Sequence, residues 1–140
     1  MLQLISLAAD YLRNLLSGLA LIRIQDPVTL SANSEPEPDI AVVQIDSRLY
    51  QDFHPAPANI LLLVEIADTT LETDRKRKAP AYAKAGIADY WILDINTRQV
   101  YVFREPVGGN YRQETIFDED GILSMLAFPE IEVQVGRLFP

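Results

Sequence analysis

Asp39, Glu65 and Lys78 are the residues of this sequence whose types and spacing point most directly to chemistry. Asp39 begins a predicted strand in "PDIAVV", and Glu65 lies near the end of a second one, "ILLLVEI". Two acidic side chains on adjacent strands can share a hard divalent cation such as magnesium, calcium or manganese, while a backbone carbonyl and waters complete the oxygen shell. The pattern therefore suggests a carboxylate metal site.

Glu65 interrupts an apolar run that predicts a strand buried on both faces. Burying a carboxylate without a partner costs several kcal/mol, so we expect a metal or a basic group beside it. Lys78 lies on the predicted helix that follows, on one face with Asp74 and Tyr82 at a spacing of four. That helix can return Lys78 to the end of the strand, where an ammonium stabilises a pentavalent phosphate or orients an attacking water.

Each of these residues also has a simpler explanation. Glu65 at a strand edge can point to solvent or pair with an arginine. Lys78 can belong to a solvated basic helix, with an Asp74–Lys78 pair worth only a few tenths of a kcal/mol. From the residues alone, both explanations stay open.

Composition excludes several other kinds of site. The chain has 140 residues, no cysteine and one histidine, His54, so cysteine nucleophiles, disulfides and multi-histidine metal sites within one chain are excluded. No glycine-rich phosphate loop, nucleophile elbow or dinucleotide fingerprint occurs. A net charge of −8 argues against broad binding to nucleic acid but allows a local basic groove.

The length and hydropathy of the chain indicate how many domains it forms and where in the cell it is expected. A chain of 140 residues fits a single domain, which we expect to span 1–140. No apolar run reaches the ~18 to 20 residues of a membrane span, and the N-terminus lacks the features of a signal peptide. We therefore expect a cytoplasmic protein that does not enter membranes.

The elements expected around these residues form a mixed α/β fold on one sheet. A helix is predicted over 2–16, and a second from Thr73 or Asp74 to Gly86, in which Pro80 should cause a kink or delay the regular start. Strands are predicted over 20–30 (bent, or two short strands), 39–43, 60–66, 89–95, 99–105, 111–117 and, more weakly, 131–135. Tyr90 and Trp91 are expected in the core.

Two stretches carry a resemblance to a known family: "EPEPDIAVV" and "HPAPANILLLVEIADTTLETDRKRKAPAYAKAGIADYWILDI". Together they resemble the Uma family of restriction-endonuclease-like proteins, in the PD-(D/E)XK nuclease-like superfamily. The resemblance extends roughly from Gly18 to the C-terminus. It implies a restriction-endonuclease-like fold, in which a mixed β-sheet core is flanked by helices.

The resemblance also implies a set of site residues. Pro38-Asp39 is the "PD" and Glu65 the "(D/E)" of the signature, and together with the Ile66 carbonyl they are expected to bind Mg²⁺ or Mn²⁺. The signature lysine falls at position 67, where this chain has Ala67, and Lys78 on the following helix is expected to replace it.

The implied activity is metal-dependent endonucleolytic hydrolysis of DNA by Asp39, Glu65 and Lys78. The expected assembly is a homodimer. The alternative is a catalytically inactive, nuclease-like binding or scaffold domain. A third, weaker interpretation is hydrolysis of a small phosphoester or nucleotide at the same metal site. Relatives usually begin with a further segment before the region that matches "LQLISLAADYL", and we expect this chain to lack it.

Overall fold

A six-stranded mixed sheet forms the centre of the structure, a computed structural model that describes all 140 residues. The strands follow one another across the sheet in chain order. All neighbours are antiparallel except the third and fourth, which are parallel and therefore need a crossover connection. The strands are β1 (Leu21–Ile24), β2 (Ile40–Val43), β3 (Ile60–Ala67), β4 (Asp89–Asp94), β5 (Gln99–Val107) and β6 (Asn110–Phe117).

Helices cover the two faces of this sheet. Helix α1 (Leu2–Leu15) packs on one face, and the crossover from β3 to β4 packs on the other. The crossover, segment 71–84, consists of a short α2 (Leu71–Thr73), a π-helical turn (Asp74–Lys78) and α3 (Ala79–Lys84). This arrangement confirms the predicted α/β fold with helices flanking a mixed sheet. None of these helices has the length and apolar character required to cross a bilayer.

Two apolar layers hold the helices on the sheet. On the α1 face, Leu12 belongs to one cluster with Val64 and Trp91. On the opposite face, Tyr82 of α3 packs with Tyr90 and other residues of the sheet. Because side chains alternate along a strand, the adjacent Tyr90 and Trp91 enter opposite layers, and neither is exposed. The predicted core positions of both aromatics are confirmed.

The start of the second helix differs from the prediction. It begins at Leu71 after Thr70, not after Thr73 or Asp74, because Asp74 already has its backbone N–H bonded to the Thr70 carbonyl. The irregular start expected from Pro80 is present as the five-residue π turn directly before α3. Proline has no N–H to complete an α-helical bond, and the wider turn accommodates that loss.

Two predicted strands are shorter than expected. The bent strand over 20–30 is wrong beyond Ile24, because Gln25 has a positive φ of 53° and Pro27 cannot donate to a ladder. The final strand is only β8 (Val133–Gln134), which pairs with β7 (Ile122–Leu123) in a separate two-stranded sheet. The end of β1 lies beside the site, because the Gln25 N–H donates to the Asp39 carbonyl at 3.1 Å, whereas β7 and β8 lie outside the six-stranded sheet.

Candidate active site

Asp39 and Glu65 lie side by side where β2 begins against β3. The antiparallel register pairs Ile40 with Val64, so Asp39 stands opposite Glu65. The Asp39 N–H donates to Glu65 Oε1 at 3.1 Å, and the Ile66 N–H donates to Asp39 Oδ2 at 2.8 Å. These reciprocal bonds fix the two carboxylates next to each other, as the sequence predicted for acids on adjacent strands.

Both side chains project toward the face covered by segment 71–84. Glu65 alternates with Val64 and Ile66, which face α1, and it shares its own face with Leu63 and Ala67. Glu65 is only 2% exposed, whereas Asp39 is partly exposed. The explanation that Glu65 points to solvent is therefore wrong, and the buried carboxylate needs the partners that the helix supplies.

Lys78 is the basic partner of Glu65. Its Nζ lies 3.2 Å from Glu65 Oε2 and 3.4 Å from Asp74 Oδ1. The Lys78 side chain is 45% exposed, so its ammonium lies between two buried carboxylates and solvent. The expectation that the helix returns Lys78 to Glu65 is confirmed, and the alternative of an arginine partner is wrong.

Asp74 and Tyr82 complete the group, on the helical face that their spacing predicts. The Tyr82 hydroxyl donates to Glu65 Oε2 at 2.9 Å. Asp74 is 3% exposed and accepts a hydrogen bond from the Thr70 hydroxyl at 3.3 Å in addition to its contact with Lys78. Sequence spacing places both residues on this face but does not reveal that Tyr82 binds Glu65 directly.

Burial and neighbouring charges change the pKa values of Glu65 and Lys78. Burial raises the pKa of Glu65 to about 7; Lys78 opposes the rise and Asp39 adds to it. Burial alone would lower the pKa of Lys78, but the Glu65 and Asp74 carboxylates raise it above its ordinary value. Near pH 7 Glu65 therefore changes charge readily, and a cation bound to it would favour the ionised form.

The raised pKa of Glu65 predicts a pH dependence of folding stability. Because the folded-state pKa, about 7, exceeds the ordinary value of 4.5, the protonated side chain contributes stability that is fully present below pH 4.5 and lost as pH rises through 7. The loss amounts to roughly 3 kcal/mol at most. Melting temperatures from pH 4.5 to 8 measure it, and the decline should be much smaller in Glu65→Gln. A decline of equal size in that variant would contradict the assignment to Glu65.

The oxygen donors of the pair suit a hard cation. In an extended strand the N–H and C=O of one residue point to the same side, so the Ile66 carbonyl faces the side on which its N–H meets Asp39. No group of three or more histidine, aspartate or glutamate side chains is arranged to hold a metal. Magnesium commonly binds through one or two carboxylates and keeps several waters. Asp39, Glu65 and the Ile66 carbonyl therefore fit magnesium better than a metal that needs a full set of side-chain ligands.

The pair lies outside the cavities of the structure. None of the cavities of the structure is lined by Asp39 or Glu65. The largest depression, about 550 Å³, is a shallow one along the outer side of α1. Small-molecule sites are usually concave and bury most of their ligand, and no such concavity lies at the pair, where the partly exposed Asp39 and Lys78 reach the surface.

Of the two further buried acids that sequence reasoning missed, Asp89 and Asp94, the more deeply buried is Asp89. It is fully buried and accepts hydrogen bonds from Arg104, from the Trp91 indole and from the Leu126 N–H. An isolated acid at the start of a strand carries no sequence signal for such a role. Because Arg104 pairs with its charge and it lies near Trp91 on the α1 side, Asp89 stabilises the fold and is separate from the Asp39–Glu65 pair.

Comparisons with known proteins bear on the family and the fold of the chain. The sequence model of Uma2, described as a putative restriction endonuclease, matches residues 2–136, so the match includes α1 as well as the region from Gly18 onward. A solved structure described as a putative nuclease belonging to DUF820, from Anabaena variabilis ATCC 29413, superposes with a TM-score of 0.70 and 17% identity, over 97% of this chain and 78% of that chain. At this identity the likeness concerns the fold. No curated protein matches the chain.

Proposed function

The chain belongs to the Uma2 family of putative restriction endonucleases, and from that premise we propose that it is a metal-dependent endonuclease that hydrolyses DNA phosphodiester bonds. The observation that carries the proposal is the pairing of Asp39 and Glu65 on adjacent strands with the Lys78 ammonium 3.2 Å from Glu65. The simpler explanations account for each residue separately. They do not explain why Asp39, Glu65 and Lys78, the three residues that the family resemblance selects, lie together in the structure.

Asp39, Glu65 and the Ile66 carbonyl are the proposed ligands of Mg²⁺ or Mn²⁺. Such an ion, when bound, polarises the scissile phosphate and lowers the pKa of a bound water. Asp39 Oδ2 accepts the Ile66 N–H, and Glu65 Oε1 accepts the Asp39 N–H. The protein thus presents oxygen atoms that are already oriented, and little reorganisation is needed.

Lys78 is the proposed catalytic cation. Its raised pKa keeps the ammonium charged across the neutral range, and its partial exposure gives it access to a phosphate at the surface. From that position the ammonium donates hydrogen bonds to a phosphate oxygen or to the attacking water. In this role Lys78 replaces the lysine that the superfamily signature places at the position of Ala67.

The exposed basic residues on the segment that carries Lys78 favour a polymer over the small phosphoester of the third interpretation. No cavity at the pair would enclose a nucleotide. Arg77 and Lys84, on the segment that carries Lys78, are exposed and form no ion pair within the chain. They are free to neutralise backbone phosphates, which gives a local basic surface despite the net charge of −8.

An inactive, nuclease-like binding domain is the second candidate. The observation that favours it is Ala67, because the usual lysine is missing two residues after Glu65.

The expected single domain, cytoplasmic location and homodimer stay predictions from the sequence. Sedimentation at monomer mass over a wide concentration range would contradict the homodimer.

A cleavage assay on supercoiled plasmid distinguishes the endonuclease from the inactive binding domain and from the hydrolase of small phosphoesters. Incubated with Mg²⁺ or Mn²⁺, the protein is expected to convert it to nicked and linear forms, and EDTA is expected to stop the conversion because the ligand oxygens need the cation. Under the same conditions, a small phosphodiester or mononucleotide should be hydrolysed much more slowly. Intact plasmid at all metal concentrations would favour the inactive domain, and faster turnover of the small substrate would favour the third interpretation.

A further inference from the structure

The two oxygens of Glu65 are held by different groups. Oε1 accepts the Asp39 N–H at 3.1 Å. Oε2 accepts the Tyr82 hydroxyl at 2.9 Å and contacts Lys78 Nζ at 3.2 Å. A buried carboxylate turns easily about its last bond unless both oxygens are fixed, so the groups on Oε2 decide whether Oε1 stays beside Asp39.

We propose that Tyr82 is a positioning residue that anchors Oε2 of Glu65 and thereby keeps Oε1 directed toward Asp39 for metal binding. The metal-binding part of this inference rests on the function proposed above. The anchoring part concerns contacts within the chain and stands independently of any metal.

Tyr82 suits this task better than Lys78 does. Its side chain is 2% exposed, and its ring packs edge-on against Tyr90 with 4.9 Å between ring centroids. Lys78 is 45% exposed and divides its ammonium between Glu65 and Asp74. A long, half-exposed side chain adopts many conformations, whereas a packed tyrosine ring presents its hydroxyl at one place.

The hydroxyl is also a permanent donor. A tyrosine hydroxyl has an ordinary pKa of about 10, so it keeps its proton in the neutral range and donates to Glu65 Oε2. A hydrogen bond to a charged acceptor is stronger than one between neutral groups. The bond therefore favours the ionised carboxylate that a cation requires.

The neighbouring tyrosines indicate that packing alone does not require this bond. Tyr90 contacts the Tyr82 ring, yet its own buried hydroxyl has no hydrogen-bond partner. Tyr111, in the same aromatic group, donates to the Ile87 carbonyl at 2.7 Å. Tyr111 thus offers a matched control, because its hydroxyl is bonded to the backbone and does not contact Glu65.

The experiment compares Tyr82→Phe with Tyr111→Phe, since each variant loses one hydrogen-bonded hydroxyl and keeps its ring. The first measurement is the hydrogen exchange of the Asp39 amide by NMR without added metal. Because that N–H donates to Glu65 Oε1, its protection reports where the carboxylate lies. We expect protection to fall about tenfold or more in Tyr82→Phe relative to Tyr111→Phe, an effect typical of losing a charge-assisted hydrogen bond.

The second measurement is the magnesium concentration that raises the melting temperature by a fixed number of degrees, because stabilisation by mass action grows with the logarithm of concentration and has no maximum. Outer residues that orient metal ligands typically contribute about 10- to 100-fold in affinity. We therefore expect this concentration to rise about tenfold or more in Tyr82→Phe and to stay unchanged in Tyr111→Phe.

The two measurements separate the inference from the proposed function. An Asp39 amide equally protected in both variants would overturn the anchoring role of Tyr82, whatever the metal result. Reduced protection in Tyr82→Phe, together with a wild-type protein that ignores magnesium, would support the anchoring role and reject the metal site. If wild type and Tyr82→Phe bind magnesium equally well, the role of Tyr82 in metal binding is overturned.

Discussion

Glu65→Gln is expected to reduce magnesium-dependent DNA cleavage by on the order of 10³-fold or more. The substitution keeps the shape of the side chain but removes the charge of one of the two proposed carboxylate ligands. A metal ion contributes several kcal/mol to the stabilisation of a phosphoryl transition state, and each 1.36 kcal/mol is a factor of ten in rate. Initial rates of plasmid nicking at saturating magnesium measure the effect.

Asp52→Asn is the control for this substitution. Asp52 is an exposed acid that pairs with Arg48 in the long loop between β2 and β3, away from the start of β2. It should cleave at the wild-type rate. Equal cleavage rates in Glu65→Gln and Asp52→Asn would show that the activity does not depend on Glu65 and would reject the proposed ligand set.

Lys78→Met is expected to lower the cleavage rate at saturating substrate by about 100-fold, with magnesium still raising the melting temperature. Loss of one hydrogen-bonding group that stabilises transition-state charge typically costs about 10²- to 10³-fold. Methionine keeps the length and apolar stem of the side chain and removes only the ammonium. Because Lys78 is not a proposed ligand, the metal response should persist while catalysis falls.

Lys76→Met is the matched control, since Lys76 lies in the same π turn, is 77% exposed and contacts only Glu72. It should leave the rate nearly unchanged. Equal rates in the two methionine variants would exclude a catalytic role for Lys78. Loss of the magnesium response in Lys78→Met would mean that the lysine serves the fold of the site and not the reaction.

Most of the fold is predictable from local patterns. The apolar runs of β3 and β4 and the hairpin between β4 and β5 produce the centre of the sheet, because strands buried on both faces have a clear sequence signal. The boundaries depend on less local effects. The loop after Ile24 and the early start at Leu71 are set by one positive φ and by backbone bonds that no periodicity specifies.

The candidate site is predictable in its main groups and not in its contacts. The chain order of Asp39, Glu65 and Lys78 and the shared face of Asp74 and Tyr82 follow from strand and helix periodicity. The bond from Tyr82 to Glu65 Oε2 does not, because it depends on how closely α3 packs on β3. Spacing alone specifies a face and leaves the hydrogen-bond partner undetermined.

A carboxylate inside the apolar run of β3 now has a physical account. Glu65 is tolerated because four neighbours offset its burial: the Asp39 N–H, the Tyr82 hydroxyl, the Lys78 ammonium and, in the proposed active form, a divalent cation. Its pKa of about 7 indicates that the first three do not fully offset the cost of burying the charge. The remaining cost is what a bound cation would remove.

The most direct test of the central claim is the melting temperature with and without Mg²⁺ or Mn²⁺ at pH 8 for the wild type, Glu65→Gln and Asp89→Asn. Asp89 is the matched control because it is also a buried acid and lies away from the pair. At about 100 times the dissociation constant, a bound ion adds about 2.7 kcal/mol to the free energy of unfolding. We predict a metal-dependent rise of several degrees in the wild type and in Asp89→Asn that is absent in Glu65→Gln. A rise that persists in Glu65→Gln, or no rise in the wild type, would contradict a metal site built on Asp39 and Glu65.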